Sequence, residues 1–251
     1  MNTPLSEIKV IEDLSLNAWP SHQMQVYDGW ILRFSYFYTC RTNSVEQIGA
    51  SLLPPDEKIT YCESEYRRWQ TPCLFKISPI TDKATVDALH RRGYTVRHRT
   101  DVMTCRLEPG PPVPTEGLIM ENRVSYAWLQ GLFDLKHTTN IIHRRIVPSM
   151  YDAIPKDKIA VCMMDGDQII ATGLGILDRD YIGIYAIHVH EDYRRRGYAR
   201  RIVSVLLQEG RRQGAVRAYL QVVAGNDGAR SLYESLGFSK LYDYHFLSKD
   251  V

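Results

Sequence analysis

The apolar residues of the second half follow two patterns, one typical of helices and the other typical of strands. Apolar residues recur at helical spacing within about 197–213 and predict a helix there. They are Ile202, Val203, Leu206 and Leu207. Short runs rich in Ile, Val and Tyr are typical of strands. The other predicted helices of this half span about 125–136, 140–153 and 226–236, and the predicted strands about 159–164, 168–177, 181–189, 216–223 and 242–247. This order predicts a mixed α/β fold around a largely antiparallel sheet.

The first half shows a similar closing pattern. It predicts helices over about 56–69 and 82–92 and strands over about 73–77 and 100–107. The segment ALHRRGY at 88–94 is similar to LYESLGF at 232–238, and a glycine closes each predicted helix. We interpret this as a diverged internal repeat offset by about 144 residues, with chance similarity of two ordinary helix–glycine–strand units as the alternative.

Four prolines fall between Pro109 and Pro114. Proline lacks a backbone N–H and fits neither a helix interior nor a central strand. The segment therefore predicts a semi-rigid extended linker at 109–115. We expect an N-terminal domain at 1–108 and a C-terminal domain at 116–251.

Composition narrows the class of protein. The 31 basic and 29 acidic residues leave a net charge of +2, which argues against a nucleic-acid partner. The five cysteines show no CxxC spacing, so we expect free thiols and no metal site. The N-terminus has no signal-peptide pattern and no apolar run is long enough to span a bilayer, so we expect a cytoplasmic protein without a membrane partner.

The sharpest chemical signal is the segment VHEDYRRRGYA at 189–199, where a predicted strand gives way to a basic turn and a helix. The first N–H groups of a helix have no internal partner and attract anions. Gly197 and Ala199 would let a pyrophosphate approach those groups, and Arg194, Arg195 and Arg196 could add charged contacts. The alternative is a solvated basic turn at a helix start.

This segment resembles the acetyl-CoA motif of the GNAT N-acetyltransferase superfamily, Arg/Gln-x-x-Gly-x-Gly/Ala, which Arg194, Gly197 and Ala199 match. The family often has Pro and Gly at the positions of Glu191 and Arg195. A second family signature is Asn-x-x-Ala-x-x-Leu-Tyr-x-x-x-Gly-Phe. Its matching residues are Asn226, Ala229, Leu232, Tyr233, Gly237 and Phe238. The resemblance covers about residues 116–251 and implies a GNAT fold, in tandem with a diverged N-terminal GNAT-like domain.

The resemblance also implies site roles. It places the pantetheine arm of acetyl-CoA against the backbone of Ile187, His188 and Val189, and a cofactor hydrogen bond at Asn226. It makes Tyr233 the acid that protonates the leaving thiolate, which a phenol can do. The residues expected to hold the pyrophosphate are Arg194, Arg195, Arg196, Gly197, Tyr198 and Ala199.

The base that deprotonates the amine is not evident. Many relatives place a Glu or His nine or eleven residues before the first motif Arg, where this chain has Tyr185 and Gly183. We therefore expect a water relay past Tyr185, or a base from another strand. His188 has suitable chemistry, but strand alternation predicts that it lies on the face opposite Tyr185.

The N-terminal half has lost the motif. Shifting the motif back by about 144 residues gives ASLLPP at 50–55, and Leu89 stands in the place of Tyr233. We expect a degenerate copy that does not bind CoA and that shapes the acceptor cleft. The aromatic stretch at 30–45 predicts a β-hairpin, in which Arg41 and Asn43 could bind an acceptor carboxylate or amide. Ordinary turn residues at a strand end are the alternative.

These observations favour an enzyme that transfers an acetyl group from acetyl-CoA to a primary amine within a ternary complex. Transfer of another acyl group and a non-catalytic acyl-CoA sensor are the alternatives. The sequence does not indicate the acceptor or the oligomeric state.

Overall fold

The computed structural model describes residues 5–249, which build one mixed sheet of eleven strands. The strands are β1 (Gln23–Tyr27), β2 (Trp30–Phe34), β3 (Val45–Gln47), β4 (Phe75–Ile77), β5 (Thr95–Arg106), β6 (Leu118–Glu121), β7 (Asp157–Asp165), β8 (Gln168–Asp178), β9 (Tyr181–Val189), β10 (Arg217–Val223) and β11 (Ser239–Ser248). The helices are α1 (Leu5–Ala18), α2 (Pro55–Arg68), α3 (Lys83–Arg91), α4 (Tyr126–Leu135), α5 (Ile141–Asp152), α6 (Tyr198–Arg212) and α7 (Asp227–Glu234).

The strand order is β1-β2-β3-β4-β11-β5-β10-β9-β8-β7-β6. The unit β3-α2-β4-α3-β5 of the first half repeats as β9-α6-β10-α7-β11 in the second. Each unit gives its last strand to the other: β5 lies between β10 and β11, and β11 lies between β4 and β5. The predicted internal repeat is therefore visible in the topology, and one continuous sheet joins both halves.

Helices cover both faces of the C-terminal part of the sheet. On one face α6 and α7 pack against the inward residues of β9 and β10, among them Ile182 and Leu220. On the other face α1 packs against Tyr219, and α4 and α5 pack against Leu174. Tyr185 of β9 contacts the clusters of both α1 and α4–α5, so these three helices share one face.

The predicted elements of the second half are confirmed to within a few residues at their ends. In α6 the apolar stripe buries Ile202, Val203 and Leu206, as its spacing predicts. Gly214 follows the helix with a φ of +99°, a conformation that glycine adopts at little cost.

The β-hairpin predicted over 30–45 is present as the antiparallel pair β2 and β3, but its connecting loop is longer than the aromatic stretch suggested. Strand β2 covers Trp30–Phe34 and pairs with β1 on one side and with β3, which begins at Val45, on the other. Tyr36 and Phe37 have φ angles of +48° and +53°, and these two successive left-handed residues end the extended backbone of β2. The segment 35–44 is therefore a loop containing a 3₁₀ turn at Cys40–Thr42.

The proline-rich segment 109–115 contains no helix or strand and crosses α6. Gln208 accepts a hydrogen bond from the Val113 amide at 2.8 Å, and Arg201 Nε donates to the Pro114 carbonyl at 2.8 Å. The boundaries proposed for two domains at this linker remain a prediction. Among residues 5–249, every helix is too short or too polar to cross a membrane.

Candidate active site

Strand β9 separates from its neighbour β10 halfway along its length. Their parallel pairing ends where Ile184 faces Leu220, although β9 continues to Val189 and β10 to Val223. Beyond that point the described residues place no strand against this side of β9. A wedge with unpaired backbone groups therefore opens in the middle of the sheet.

A β-bulge lies at the mouth of the wedge. The register with β8 pairs Leu174 with Tyr185 and Thr172 with His188, so two residues of β9 face Gly173. One of them, Ala186, has a φ of +50°. The bulge twists β9 and ends its pairing with β10.

The bulge overturns the expected orientation of His188. Ile187 and Val189 pack on the α6–α7 face, whereas Tyr185 packs on the α1 face. Alternation within 187–189 then directs His188 to the same side as Tyr185. The sequence-based prediction of opposite faces is wrong because it assumed an unbroken strand. Burial, together with the charges of Lys136 and Arg194, lowers the pKa of His188 to about 4.

The backbone of β9 fits the expected pantetheine contacts at two positions. The His190 amide donates to the Ile170 carbonyl at 2.8 Å, so alternation directs the groups of His188 toward β8 as well. The groups of Ile187 and Val189 then face the wedge. Arg194 Nε already donates to the Val189 carbonyl at 3.3 Å. The expectation for the His188 backbone is therefore not supported.

The motif loop forms a nest of amides before α6. Arg195 and Gly197 have φ angles of +65° and +83°, and successive residues of alternating handedness create anion-binding concavities. Within the described chain the amides of Arg195, Arg196 and Gly197 donate to no protein acceptor. Tyr198 and Ala199 open the helix, where amides also lack internal partners.

The three motif arginines surround this nest. All are exposed, and none forms an ion pair with a described carboxylate. Arg196 lies over the Tyr193 ring, 5.2 Å from its centroid. The α6 N-terminus also carries no acidic residue in its first turn. Positive charge and open N–H groups thus converge on one exposed loop.

Asn226 and Tyr233 lie at the two ends of α7. The Asn226 Oδ1 atom accepts the Ala229 amide at 3.2 Å and caps the helix, which leaves the exposed Nδ2 group available. Tyr233 is 8% exposed and packs against Phe238. Its hydroxyl makes no hydrogen bond within residues 5–249, and burial raises its pKa to about 12.

Tyr185 forms a hydroxyl pair with Tyr219 of β10. Their oxygens are 2.7 Å apart. Burial raises the pKa of Tyr185 to about 12, and that of Tyr219 rises well above its ordinary value for the same reason. Both phenols are therefore protonated at neutral pH, so Tyr185 can relay a proton but is not itself a base.

The two predicted substrate residues of the first half have different environments. Arg41 reaches β10, where its Nη1 atom donates to Gln221 Oε1 at 3.1 Å. Asn43 is buried: its Oδ1 atom accepts the amides of Ser35 and Phe37, and its Nδ2 atom donates to the Thr39 carbonyl at 2.7 Å. The Asn43 amide thus fixes the loop and has no group left for a ligand.

Sequence reasoning missed the aromatic residues beside the wedge. Trp19 packs edge-on against Tyr151, with ring centroids 4.9 Å apart, and Tyr38 packs against His143 at 5.0 Å. These side chains come from three distant segments: the end of α1, the loop 35–44 and α5. The density of aromatics at 30–45 was visible in the sequence, but no local pattern pairs it with α5.

A family model and one curated relative match nearly the whole chain. The family model "Probable histone acetyltransferase Rv0428c C-terminal" matches residues 5–247. "Uncharacterized N-acetyltransferase YobR" of Bacillus subtilis is 26% identical over 249 residues, which cover 98% of this chain and 100% of that protein. "[Ribosomal protein bS18]-alanine N-acetyltransferase" of Salmonella typhimurium is 35% identical over 74 residues, 30% of this chain and 50% of the enzyme.

Solved structures show the same fold. A GCN5-related N-acetyltransferase from Kribbella flavida superposes with a TM-score of 0.71 at 14% identity, over 100% of this chain and 97% of the other. One from Sphaerobacter thermophilus gives 0.62 at 17% identity, over 96% and 84%. The family match includes the first half, where the motifs are lost. The chain belongs to the acetyltransferase family described as "Probable histone acetyltransferase Rv0428c C-terminal", within the GNAT superfamily.

Proposed function

We propose that this protein transfers an acetyl group from acetyl-CoA to a primary amine in a ternary complex. The observation that carries the proposal is the juxtaposition of an open amide nest, a wedge in the sheet and three arginines that form no ion pair with a described carboxylate. A pyrophosphate suits the nest, because unpaired amides at a helix N-terminus bind anions. An extended pantetheine arm suits the wedge, because it can pair with β9 as a strand would.

The cofactor contacts follow from this placement. The amides of residues 195–199 hold the pyrophosphate, with Arg194, Arg195 and Arg196 supplying charge. Ile187 and Val189 present backbone groups to the pantetheine, and Asn226 Nδ2 donates to a carbonyl of the arm. The thioester then lies at the bulge, between Tyr233 and Tyr185.

The reaction needs one proton removed and one supplied. The neutral amine attacks the thioester carbon, a C–N bond forms, and the C–S bond breaks. Tyr233 gives its proton to the CoA thiolate and regains one from the solvent. Its hydroxyl is suited to this role because it makes no hydrogen bond to any described residue and stays protonated at neutral pH.

The amine proton leaves on the α1 face. Tyr185 and Tyr219 hold a water that accepts it, since neither phenol is ionised. His188 lies on the same face, and its low pKa keeps the imidazole neutral and able to receive a proton. A group with a pKa near 4 is a weak base, so we assign His188 to the relay rather than to full deprotonation of an ammonium ion.

Calorimetric titration of acetyl-CoA tests the cofactor site. A Gly197→Glu substitution places a carboxylate where the pyrophosphate would bind and strains a backbone with a φ of +83°. We expect one-to-one binding to the natural chain and at least 100-fold weaker binding to the variant. Gly214→Glu is the matched control, because Gly214 also has a positive φ and lies at the opposite end of α6. Absence of binding to the natural chain would contradict the proposal.

Neither His188 nor Tyr185 is a strong base, and this observation favours one alternative function. In that alternative the protein is a sensor that binds acyl-CoA without turnover. A thiol-release assay with amines separates the two functions. Release of CoA that depends on an amine supports the transferase. Tight binding without release for every amine tested would support the sensor.

A further inference from the structure

A group of aromatic and cationic side chains forms one wall beside the bulge of β9. We call it the acceptor wall. Its members are Trp19, Tyr38, Arg41, Lys136, His143 and Tyr151. The loop 35–44 supplies two of them from the first half, and the others follow α1 and α4 or lie on α5.

Direct contacts join the members. The rings of Trp19 and Tyr38 lie 6.4 Å apart, and Trp19 also packs edge-on against Tyr151. Lys136 Nζ donates to the Tyr38 hydroxyl at 2.8 Å. The wall therefore has apolar ring faces and a positive charge close together.

The wall borders the place where the thioester would lie. Trp19 and Tyr38 pack against the same apolar cluster as Tyr185 and Ala186, the residues at the bulge. Arg41 is near enough to Tyr185 and Tyr151 to lower the pKa of both, against the larger effect of burial. An acceptor approaching β9 from the α1 face would meet this wall.

Within the described part of the chain, the side chains of the two wall cations hydrogen-bond only to neutral groups. The side chain of Arg41 bonds to Gln221, and that of Lys136 bonds to Tyr38. Among residues 5–249, no Asp or Glu carboxylate forms an ion pair or hydrogen bond with any member of the wall. Elsewhere in the first half, the buried cations are paired with carboxylates, as in Arg33–Glu46 and Lys76–Glu12.

The positive charge of the acceptor wall favours an acceptor that carries a negative charge. Two unneutralised cations repel a chain rich in lysine and attract an anion, the more strongly where water is partly excluded. A guanidinium matches a carboxylate through two parallel hydrogen bonds. The partly buried rings of Trp19 and Tyr38 suit the apolar part of a small molecule.

We infer that the acceptor is a small primary amine that carries a carboxylate, which Arg41 binds while Lys136 adds charge and the rings cover its apolar part. This rests on the proposed acetyl transfer. Such an acceptor would distinguish this protein from enzymes that acetylate basic protein tails, although its family is described as a probable histone acetyltransferase.

Matched acceptors provide the test. α-, β- and γ-amino acids are compared with their amides and with a lysine-rich peptide, by CoA release at saturating acetyl-CoA. The amide has the less basic amine and so the larger free-base fraction at neutral pH, which favours it if the carboxylate is not recognised. We expect at least one acid to exceed its amide by about 10-fold or more in kcat/KM.

Variants locate the recognition. Arg41→Gln should raise KM for the preferred acid about 10-fold and raise KM for its amide by a much smaller factor, because the uncharged amide gains little from the guanidinium. Arg41→Lys keeps the positive charge but cannot donate two parallel hydrogen bonds to a carboxylate, so it should give a smaller rise in KM. Arg68→Gln changes an exposed arginine of α2 and is the control. Melting temperatures and acetyl-CoA affinities measured on the same samples exclude misfolding as the cause.

Three outcomes would overturn the inference. They are amides or the lysine-rich peptide reacting as well as the acids, a preference that survives Arg41→Gln, and binding of acetyl-CoA with no acid acetylated. Failure to bind acetyl-CoA would instead remove the proposed function itself, and the titration detects that case separately.

Discussion

The loops that precede α2 and α6 occupy equivalent places in the two halves. The amides of the first loop are bound by a carboxylate of the protein, whereas those of the second are available to a ligand. Before α2, the Asp28 carboxylate accepts the amides of Leu52 and Leu53 at 3.0 Å each. These hydrogen bonds lower the pKa of Asp28. Before α6, the amides of Arg195 and Gly197 have no protein acceptor within residues 5–249.

The surroundings reinforce the difference. Lys58, whose side chain is almost fully buried, lies 3.3 Å from Asp28. Pro54 and Pro55 remove two further N–H groups, and Asp56 and Glu57 place negative charge in the first turn of α2. The α6 loop has arginines instead. In the first half, the Asp28 carboxylate therefore occupies the backbone amides that an external anion would otherwise bind. This explains why the first half repeats the fold of the second half but lacks its acetyl-CoA motif.

The largest expected effect concerns whether the halves fold separately. Since β5 and β11 are exchanged, residues 116–251 alone would expose the edge of β10 and leave β11 without neighbours. We expect this fragment to show no cooperative thermal transition by circular dichroism, and co-expression with residues 1–115 to restore one. A stable fragment that binds acetyl-CoA would instead show two independent domains divided at the linker.

The second prediction concerns Tyr233, whose counterpart Leu89 is a buried apolar residue. Tyr233→Phe should lower kcat about 100-fold, as expected for loss of a general acid, and change the affinity for acetyl-CoA less than twofold. Stopped-time CoA release and calorimetry measure the two quantities. Tyr126→Phe, an exposed tyrosine at the start of α4, is the control. Equal rates for Tyr233→Phe and the natural chain would exclude the acid role.

Local patterns predicted the second half well. The apolar stripe of α6 and the ends of the helices in this half each follow from residues close together in the sequence. The same method could have found α1, because Ile8, Ile11 and Ser15 are buried at helical spacing.

Long-range features were beyond that method. The exchange of β5 and β11 depends on pairing between residues more than a hundred positions apart, which no local period encodes. The bulge at Ala186 replaces a regular alternation by one extra residue, and so the orientation of His188 was inferred wrongly. Arg41 could be named from its chemistry, but its position against Gln221 required the fold.

The third prediction uses the depressed pKa of His188, for which the first half has the non-titrating Ser44 at the corresponding position. The unfolded imidazole has a pKa of about 6.5 and binds a proton that the folded one does not bind until about pH 4. The protein therefore loses stability from this group as the pH falls from 6.5 to 4.

A comparison of variants isolates that contribution. We expect the stability advantage of the natural chain over His188→Gln to shrink by about 1–2 kcal/mol between pH 7 and pH 4.5, a range reduced for partial exposure of the ring. Urea unfolding at both values measures it. A constant difference would mean that His188 is not protected from protonation.

The smallest expected effect concerns the loop before α2, whose amides could bind an external anion if the Asp28 carboxylate were removed. In a Gly197→Glu background, which removes the C-terminal site, Asp28→Ala would free the amides of Leu52 and Leu53. We expect inorganic pyrophosphate at ten times its Kd to raise the melting temperature of the double variant by about 3 °C, since ligand binding stabilises the folded state by mass action. The single variant Gly197→Glu should not respond, because Asp28 still occupies those amides. A response of both variants would place the pyrophosphate elsewhere. Failure of the double variant to respond would show that the acidic first turn of α2, and not Asp28 alone, keeps anions from the first half.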